Sequence, residues 1–333
     1  MAFVKIKDGQ ALQRFLSDPD VVAVYENVAH EATLPQSLAL INQPIAQSFG
    51  KTGRGTMVAV LDTGLDWTQP GFDGVTPGWG CSAVGGSCKV RVAIDFAPND
   101  GVRDDFSMHG TNVAGIVAGV APQTYFAALD VFSGSTAQAA HVLAAINWVV
   151  QNARPHNIVA MNLSFGGNVG HSAECSSSYI ASAFQNARSA GVIPVVASGN
   201  NGFLSGISEP ACAPGAVRVG AVYDSNFGSY SGSCSDATTA ADKVTCFSNS
   251  ASFLTLLAPG AMITAAGVTK GGTSQAAPHV AGAVAVLRAS NGFPGDTLDN
   301  TVGRMVNSGV QVRDHRNGII KPRLNLGRAL GLN

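Results

Sequence analysis

Charge is scarce in this chain. Only 12% of its 333 residues are Asp, Glu, Lys or Arg, half the usual share of about 25%. The 20 basic and 21 acidic residues nearly cancel, leaving a formal net charge of −1. Nucleic acid and anionic membrane both demand a Lys/Arg stripe, so neither is an expected partner. Long apolar runs are missing too: none approaches the roughly 18–20 residues that cross a bilayer. The opening MAFVKIKDGQALQ has no apolar core and no small-residue cleavage site, so this chain shows no signal peptide. No CxxC occurs, which removes zinc ribbons and thioredoxin-like redox chemistry. There is no repeat and no low-complexity tract. The 39 glycines follow no Gly-X-Y period and instead serve turns and close backbone approach.

What is present is a globular composition. Apolar residues make up 46% of the chain, which excludes disorder and leaves length for a large core in one or two domains. Cys81, Cys88, Cys175, Cys212, Cys234 and Cys246 form an even set without metal-ligand spacing. That pattern points to disulfides and an oxidising compartment. Of the possible pairings, the sequential one (81–88, 175–212, 234–246) is expected. Oxidised cysteines without an export signal are reconciled if a secreted, extracellular protein is represented by a piece of a longer precursor.

Residues 8–16 place Leu12, Phe15 and Leu16 on one helical face, and 21–25 reads as a short strand. Beyond residue 55 the chain alternates. Strands are expected at 56–61, 90–94, 124–130, 158–163, 192–197, 217–222 and 253–258. Helices are expected at 109–118, 137–152, 176–190, 274–290 and 297–306. The strands are continuous apolar runs such as MVAVL and VIPVVA, as suits strands buried on both faces. The fold class expected is α/β: a doubly wound, mostly parallel sheet with helices on both faces. In that architecture a site forms beyond the carboxyl ends of the strands.

Four residues stand where such a site forms. Asp62 follows the strand in VLDTGLD, and Asn200 follows the strand VIPVVA. His109 begins a helix after a polar loop, and Ser274 follows Gly-Gly-Thr into an apolar helix. A serine hydroxyl becomes a nucleophile when a base takes its proton. A histidine titrates near neutrality and can be that base. A carboxylate holds the imidazole in one tautomer and stabilises its cation. A side-chain amide stabilises an oxyanion. Taken singly, each is more often a cap or a turn residue; the joint pattern carries the weight.

VAVLDTGLD, HGTNVAGIVAG and GTSQAAPHVAG resemble the three signature blocks of the subtilisin-like serine proteases, the subtilases. MNLSFGG resembles their substrate-binding segment and ASGNNG their oxyanion-asparagine segment. The blocks follow the family order and span about 37–330. The resemblance implies a serine endopeptidase working through an acyl-enzyme, with Asp62, His109 and Ser274 as triad and Asn200 on the oxyanion. Ser164, Phe165 and Gly166 would pair with a peptide substrate and wall the first specificity pocket, whose preference is expected to be apolar or aromatic. SDPDVVAVYENVAHEA resembles the end of a subtilase propeptide. Residues 1–36 are therefore expected to be a partial propeptide-like segment and 37–333 the catalytic domain, with cleavage within 31–37. The partners implied are protein or peptide substrates and the chain's own N-terminal segment; a monomer is expected. No cofactor is needed for the chemistry.

The chain departs from the family pattern in places. Gln275 follows the serine where many relatives carry Met, an oxidation-prone residue. The loop that carries the tight calcium site in subtilisin is absent after the His109 helix, and the sequence leaves a structural calcium undecided; no metal ligand is assigned. Asp100, Asp104 and Asp105 read as a solvated acidic loop. Glu209 reads as a rim or turn carboxylate, with a basic first-pocket preference as the rival reading. His279 reads as a packed helix residue. His30, His141, His156, His171 and His315 lie in no motif. An aspartic protease is disfavoured because Asp62-Thr63-Gly64 has no second D-[TS]-G. G-x-S-x-G and H-E-x-x-H are absent. An inactive binding module on the same fold is the non-enzyme rival.

Overall fold

The computed structural model describes residues 9–21, 34–76, 78–98, 101–104 and 107–332, the Phe15 side chain excepted. Most of the expected strand at 21–25, together with His30, Asp100 and Asp105, lies outside these residues. The chain divides into two compact units, Met1–Ala32 and Thr33–Asn333. The first contains helix α1 (Gly9–Leu16). The second begins with α2 (Leu34–Leu40) and α3 (Gln43–Ser48), so α2 runs across the expected boundary at 36/37.

The second unit is organised on strands β1 (Met57–Asp62), β2 (Val90–Asp95), β3 (Tyr125–Asp130), β4 (Ile158–Leu163), β5 (Ile193–Ala197), β6 (Val217–Val222) and β7 (Leu256–Pro259). A hairpin of β8 (Ile263–Ala265) and β9 (Val268–Lys270) follows, then β10 (Val310–Arg313) and β11 (Ile320–Arg323). All but the hairpin join one sheet in the order β10-β11-β7-β6-β5-β4-β1-β3-β2. Every neighbouring pair is parallel except β10 with β11. The helices are α4 (His109–Val120), α5 (Ala139–His156), α6 (Ala181–Ser189), α7 (Thr273–Arg288), α8 (Leu298–Ser308) and α9 (Leu326–Ala329).

β1 explains why the strands are apolar throughout. All six of its residues are buried. Val58 and Val60 face a core shared with Val113 and Val117 of α4 and Val280 and Val284 of α7. Met57, Ala59 and Leu61 face the opposite core, with Ile146 and Val149 of α5 and Phe184 of α6. Helices on both faces leave no polar side for alternation. From β1 the chain first builds β2 and β3 on one side and then β4 to β7 on the other, so the direction of winding changes beside β1. Asp62 stands at that switch point, where crevices form in such sheets.

Each of the seven expected strands is matched, the last starting three residues late. α5 starts at Ala139 rather than 137 because Ala137 pairs with Phe132 in a two-residue ribbon. α6 starts at Ala181 rather than 176. Ser178 N donates to Cys175 O at 2.9 Å, and a disulfide from Cys175 to Cys212 holds that turn. The other bridges are Cys81–Cys88 and Cys234–Cys246, the sequential pairing.

Candidate active site

Asp62 is the last residue of β1, and its side chain is 1% exposed. Its Oδ1 lies 2.6 Å from His109 Nδ1 and also accepts from Thr63 N at 2.8 Å. The carboxylate accepts only, so His109 donates from Nδ1 and its Nε2 is left toward the cleft. Asp62 Oδ2 is buried with no partner among the described residues. The His109 side chain is 25% exposed. Burial works against its charged form, but the charge and hydrogen bond of Asp62 outweigh that. Asp104 adds to the effect and Lys270 opposes it, and the net result lifts the His109 pKa above its ordinary value.

Ser274 is the second residue of α7 and is buried. Its Oγ donates to Ser164 O at 2.8 Å, not to His109. Ser164 Oγ donates in return to Ser274 O at 2.8 Å and accepts from Asn162 Nδ2 at 2.8 Å. Pro278 is the local reason that Ser274 O is available. Four residues on, it stands inside the helix without the N–H that would take that carbonyl. Ser164, just past β4, thereby ties the serine-bearing turn to the sheet.

Asn200 approaches from beyond β5. Its Oδ1 accepts from Thr273 N at 2.8 Å and Thr273 Oγ1 at 2.9 Å. Two donors on one atom fix it as the oxygen and turn Nδ2 outward. A Cβ at Gly272 would lie 3.0 Å from Asn200 Nδ2, so glycine there keeps the amide clear. After Ser164 the chain becomes progressively exposed through Phe165 and Gly166. Phe165 packs edge-on against Phe132 at 5.7 Å between ring centroids. Gly167 N donates to Glu209 O at 2.8 Å. A Cβ on Gly166 would meet that same oxygen at 3.2 Å.

All seven residues singled out from the sequence thus lie at the carboxyl ends of β1, β4 and β5 or on the adjoining starts of α4 and α7. One expectation fails. Asp104 is not part of a solvated loop: it is 3% exposed and accepts four hydrogen bonds. The sequence shows a run of acids but not that this one folds inward. Glu209 is half-buried, and its Oε1 accepts from the Ser178 hydroxyl. Burial and the charge of Glu209 push the Tyr179 phenol up. Gln275 Nε2 donates to Asn112 Oδ1 at 3.0 Å, inside the core. His279 is fully buried on α7. Among the described residues no group of three or more His, Cys, Asp or Glu could hold a metal ion. None of their helices is long and apolar enough to cross a membrane.

The Subtilase family matches residues 53–316. Subtilisin E of Bacillus subtilis (strain 168) is 31% identical over 328 residues, covering 90% of this chain and 75% of the relative. The alkaline proteinase of Hapsidospora chrysogena is 30% identical, covering 88% and 72%. Among solved structures, a cold adapted subtilisin-like serine proteinase aligns with a TM-score of 0.62 at 28% identity, over 82% of this chain and 89% of that one. With the sheet order, the helices on both faces and these likenesses in agreement, the chain belongs to the subtilase family and is a subtilisin-like serine endopeptidase.

Proposed function

We propose that the chain hydrolyses peptide bonds with Asp62, His109 and Ser274 as its triad. The observation that carries this reading is the 2.6 Å contact between His109 Nδ1 and Asp62 Oδ1, in a chain whose serine block heads a helix across the cleft. Ser274 Oγ turns from Ser164 O toward His109 Nε2, loses its proton to it and bonds to the scissile carbonyl carbon. The oxyanion is received by Asn200 Nδ2 and by the backbone N–H at the start of α7, where the helix dipole also favours negative charge. His109 then gives the proton to the departing amine, and the acyl bond to Ser274 remains. Water, deprotonated by His109, releases the acid and restores the hydroxyl. Asp62 holds the tautomer throughout and stabilises the imidazolium. No cofactor enters any of these steps.

Ser164, Phe165 and Gly166 receive the substrate backbone as an added strand, which gives sequence-tolerant binding. The first pocket prefers apolar or aromatic side chains. Glu209 spends a carboxylate oxygen on Ser178 instead of facing the pocket unpaired. The enzyme acts outside the cell as a monomer, and its disulfides fit that compartment. The residues ahead of α2 act as a propeptide-like segment, cut within 31–37. Ser37 is buried in α2, so the cut falls before that helix.

Peptides differing only at the residue before the scissile bond test the specificity, with Ser274→Ala as control. The reading expects kcat/KM highest for Phe or Leu and no cleavage by the variant. Highest activity on Lys or Arg would instead assign Glu209 to the pocket, and cleavage by Ser274→Ala would remove the triad.

A further inference from the structure

We propose that Asp104 is a positioning residue for His109: a second buried carboxylate that fastens the start of α4 to the turn after Asp62. The inference rests on the triad reading above and adds a residue to it.

The first turn of a helix leaves N–H groups without helical acceptors. Ahead of α4 stands Met108, with φ 53° and no side-chain cap. The loop supplies acceptors instead. His109 N donates to Ser107 Oγ at 3.1 Å, Gly110 N to Thr63 Oγ1 at 3.1 Å and Thr111 N to Asp104 Oδ2 at 3.3 Å. Asp104 also accepts from Met108 N at 2.9 Å, Thr63 Oγ1 at 3.1 Å and Thr111 Oγ1 at 3.4 Å. One carboxylate therefore holds the residue before His109, the residue two beyond it, and the residue after Asp62. Thr63 N in turn donates to Asp62 Oδ1 at 2.8 Å. The two partners of the 2.6 Å contact are fixed relative to each other through Asp104 and Thr63.

All four groups that touch Asp104 are donors, so the ionised form suits the site. Burial pushes its pKa up, the donors Thr111, Met108 and Thr63 pull it down, and the charge of Asp62 pushes it up again, leaving it above the ordinary value. The charged groups around His109 are Asp62 from β1, Asp104 from the preceding loop and Lys270 from β9. Asp66 N donates to Thr111 Oγ1 at 2.8 Å, and the Asp66 carboxylate is paired with Arg103. Asp104 thus acts in two separable ways. Its bonds set where the imidazole stands, and its charge favours the imidazolium.

The test uses the full chain, once a serine-directed probe has labelled Ser274 in the wild type. Asp104→Asn and Thr63→Ala are compared by kcat, KM, thermal unfolding and the NMR titration of His109. Asp104→Asn removes the charge. It is expected to lower kcat about tenfold with KM changed less than about twofold, and to move the His109 midpoint down by about half a pH unit. Thr63→Ala keeps the charge but removes the hydroxyl that donates to Asp104 and accepts from Gly110 N and Ser107 Oγ. It is expected to lower kcat about threefold with the midpoint unmoved. A purely structural cap would lower the melting temperature and leave the midpoint and the per-folded-molecule kcat alone; that result in Asp104→Asn overturns the proposal. If Asp104→Asn is not recovered folded, Thr63→Ala decides: wild-type kcat overturns the tether. Failure of the probe to label wild-type Ser274 would instead remove the triad reading itself.

Discussion

His279 sits on the helix that carries Ser274, with no exposed surface. Its Nδ1 donates to Gln275 O at 2.8 Å, and its Nε2 lies 2.9 Å from Ser37 Oγ. Burial pushes its pKa down to about 4, and the Gln275 carbonyl resists only in part. The unfolded chain protonates this imidazole below pH 6.5 or so, whereas the folded protein holds it neutral until about pH 4. Stability from this group is therefore complete above the unfolded pKa and is lost as pH falls through that window. The loss amounts to about 3 kcal/mol. Urea unfolding of the Ser274→Ala protein, which cannot digest itself, should show that drop between pH 7 and pH 4. His279→Gln should show a smaller one, and equal slopes would refute the assignment. Gln275 gives a second residue-scale prediction. With an amide in the core beside the nucleophile, peroxide should oxidise the exposed Met262 first and leave most casein hydrolysis intact. Loss of most activity with Gln275 unmodified would contradict it. The candidate site residues could be singled out at this scale because the segments around them resemble family blocks. Asp104 was not, since a run of aspartates reports charge and is silent about burial.

Elements were legible where their periodicity was strong and obscure where tertiary contacts set their ends. Seven apolar runs became seven strands because helices cover both faces of the sheet. The β8–β9 hairpin was missed: its strands are three residues each, and much of its anchorage is remote. Asn112 Nδ2 of α4 donates to Val268 O at 2.7 Å. The start of α6 was misplaced because a disulfide and a serine turn hold 175–178 out of the helix. That disulfide closes a separation of 37 residues, the longest of the three. In the loop-entropy account it stabilises by about 4 kcal/mol. Cys212 lies four residues beyond Ser208, whose Cβ a side chain on Gly166 would meet at 3.5 Å, so the bridge also braces the loop beside Gly166. Replacing Cys175 and Cys212 together by Ser should lower stability by about 2–4 kcal/mol and raise KM more than it lowers kcat. Removal of the Cys81–Cys88 bridge, with its separation of 7, should cost less. Urea melts and Michaelis curves on both variants check this; equal losses would show that loop length is not what matters here.

For the molecule as a whole, the winding of the sheet decides where chemistry can occur. The chain turns back beside β1, and the carboxyl ends of β1, β4 and β5 open on one edge, with the starts of α4 and α7 facing them. The overall class was legible from the alternation of segments, because a parallel sheet needs a crossover between successive strands. The division at Ala32/Thr33 was legible only as a change in character of the opening residues. If that opening is a propeptide remnant, purified wild-type protein should shorten by about 30 residues on incubation while Ser274→Ala stays full length. Intact-mass measurement reads this directly, and equal lengths would leave the segment a retained extension. The central claim is that Ser274 is an activated nucleophile. It is tested most directly by treating the folded protein with a fluorophosphonate and mapping the adduct by mass spectrometry. The account predicts one stoichiometric adduct, on Ser274, whose formation extinguishes casein hydrolysis and weakens as pH falls through the raised His109 pKa. Folded protein that hydrolyses casein while Ser274 remains unlabelled would contradict it.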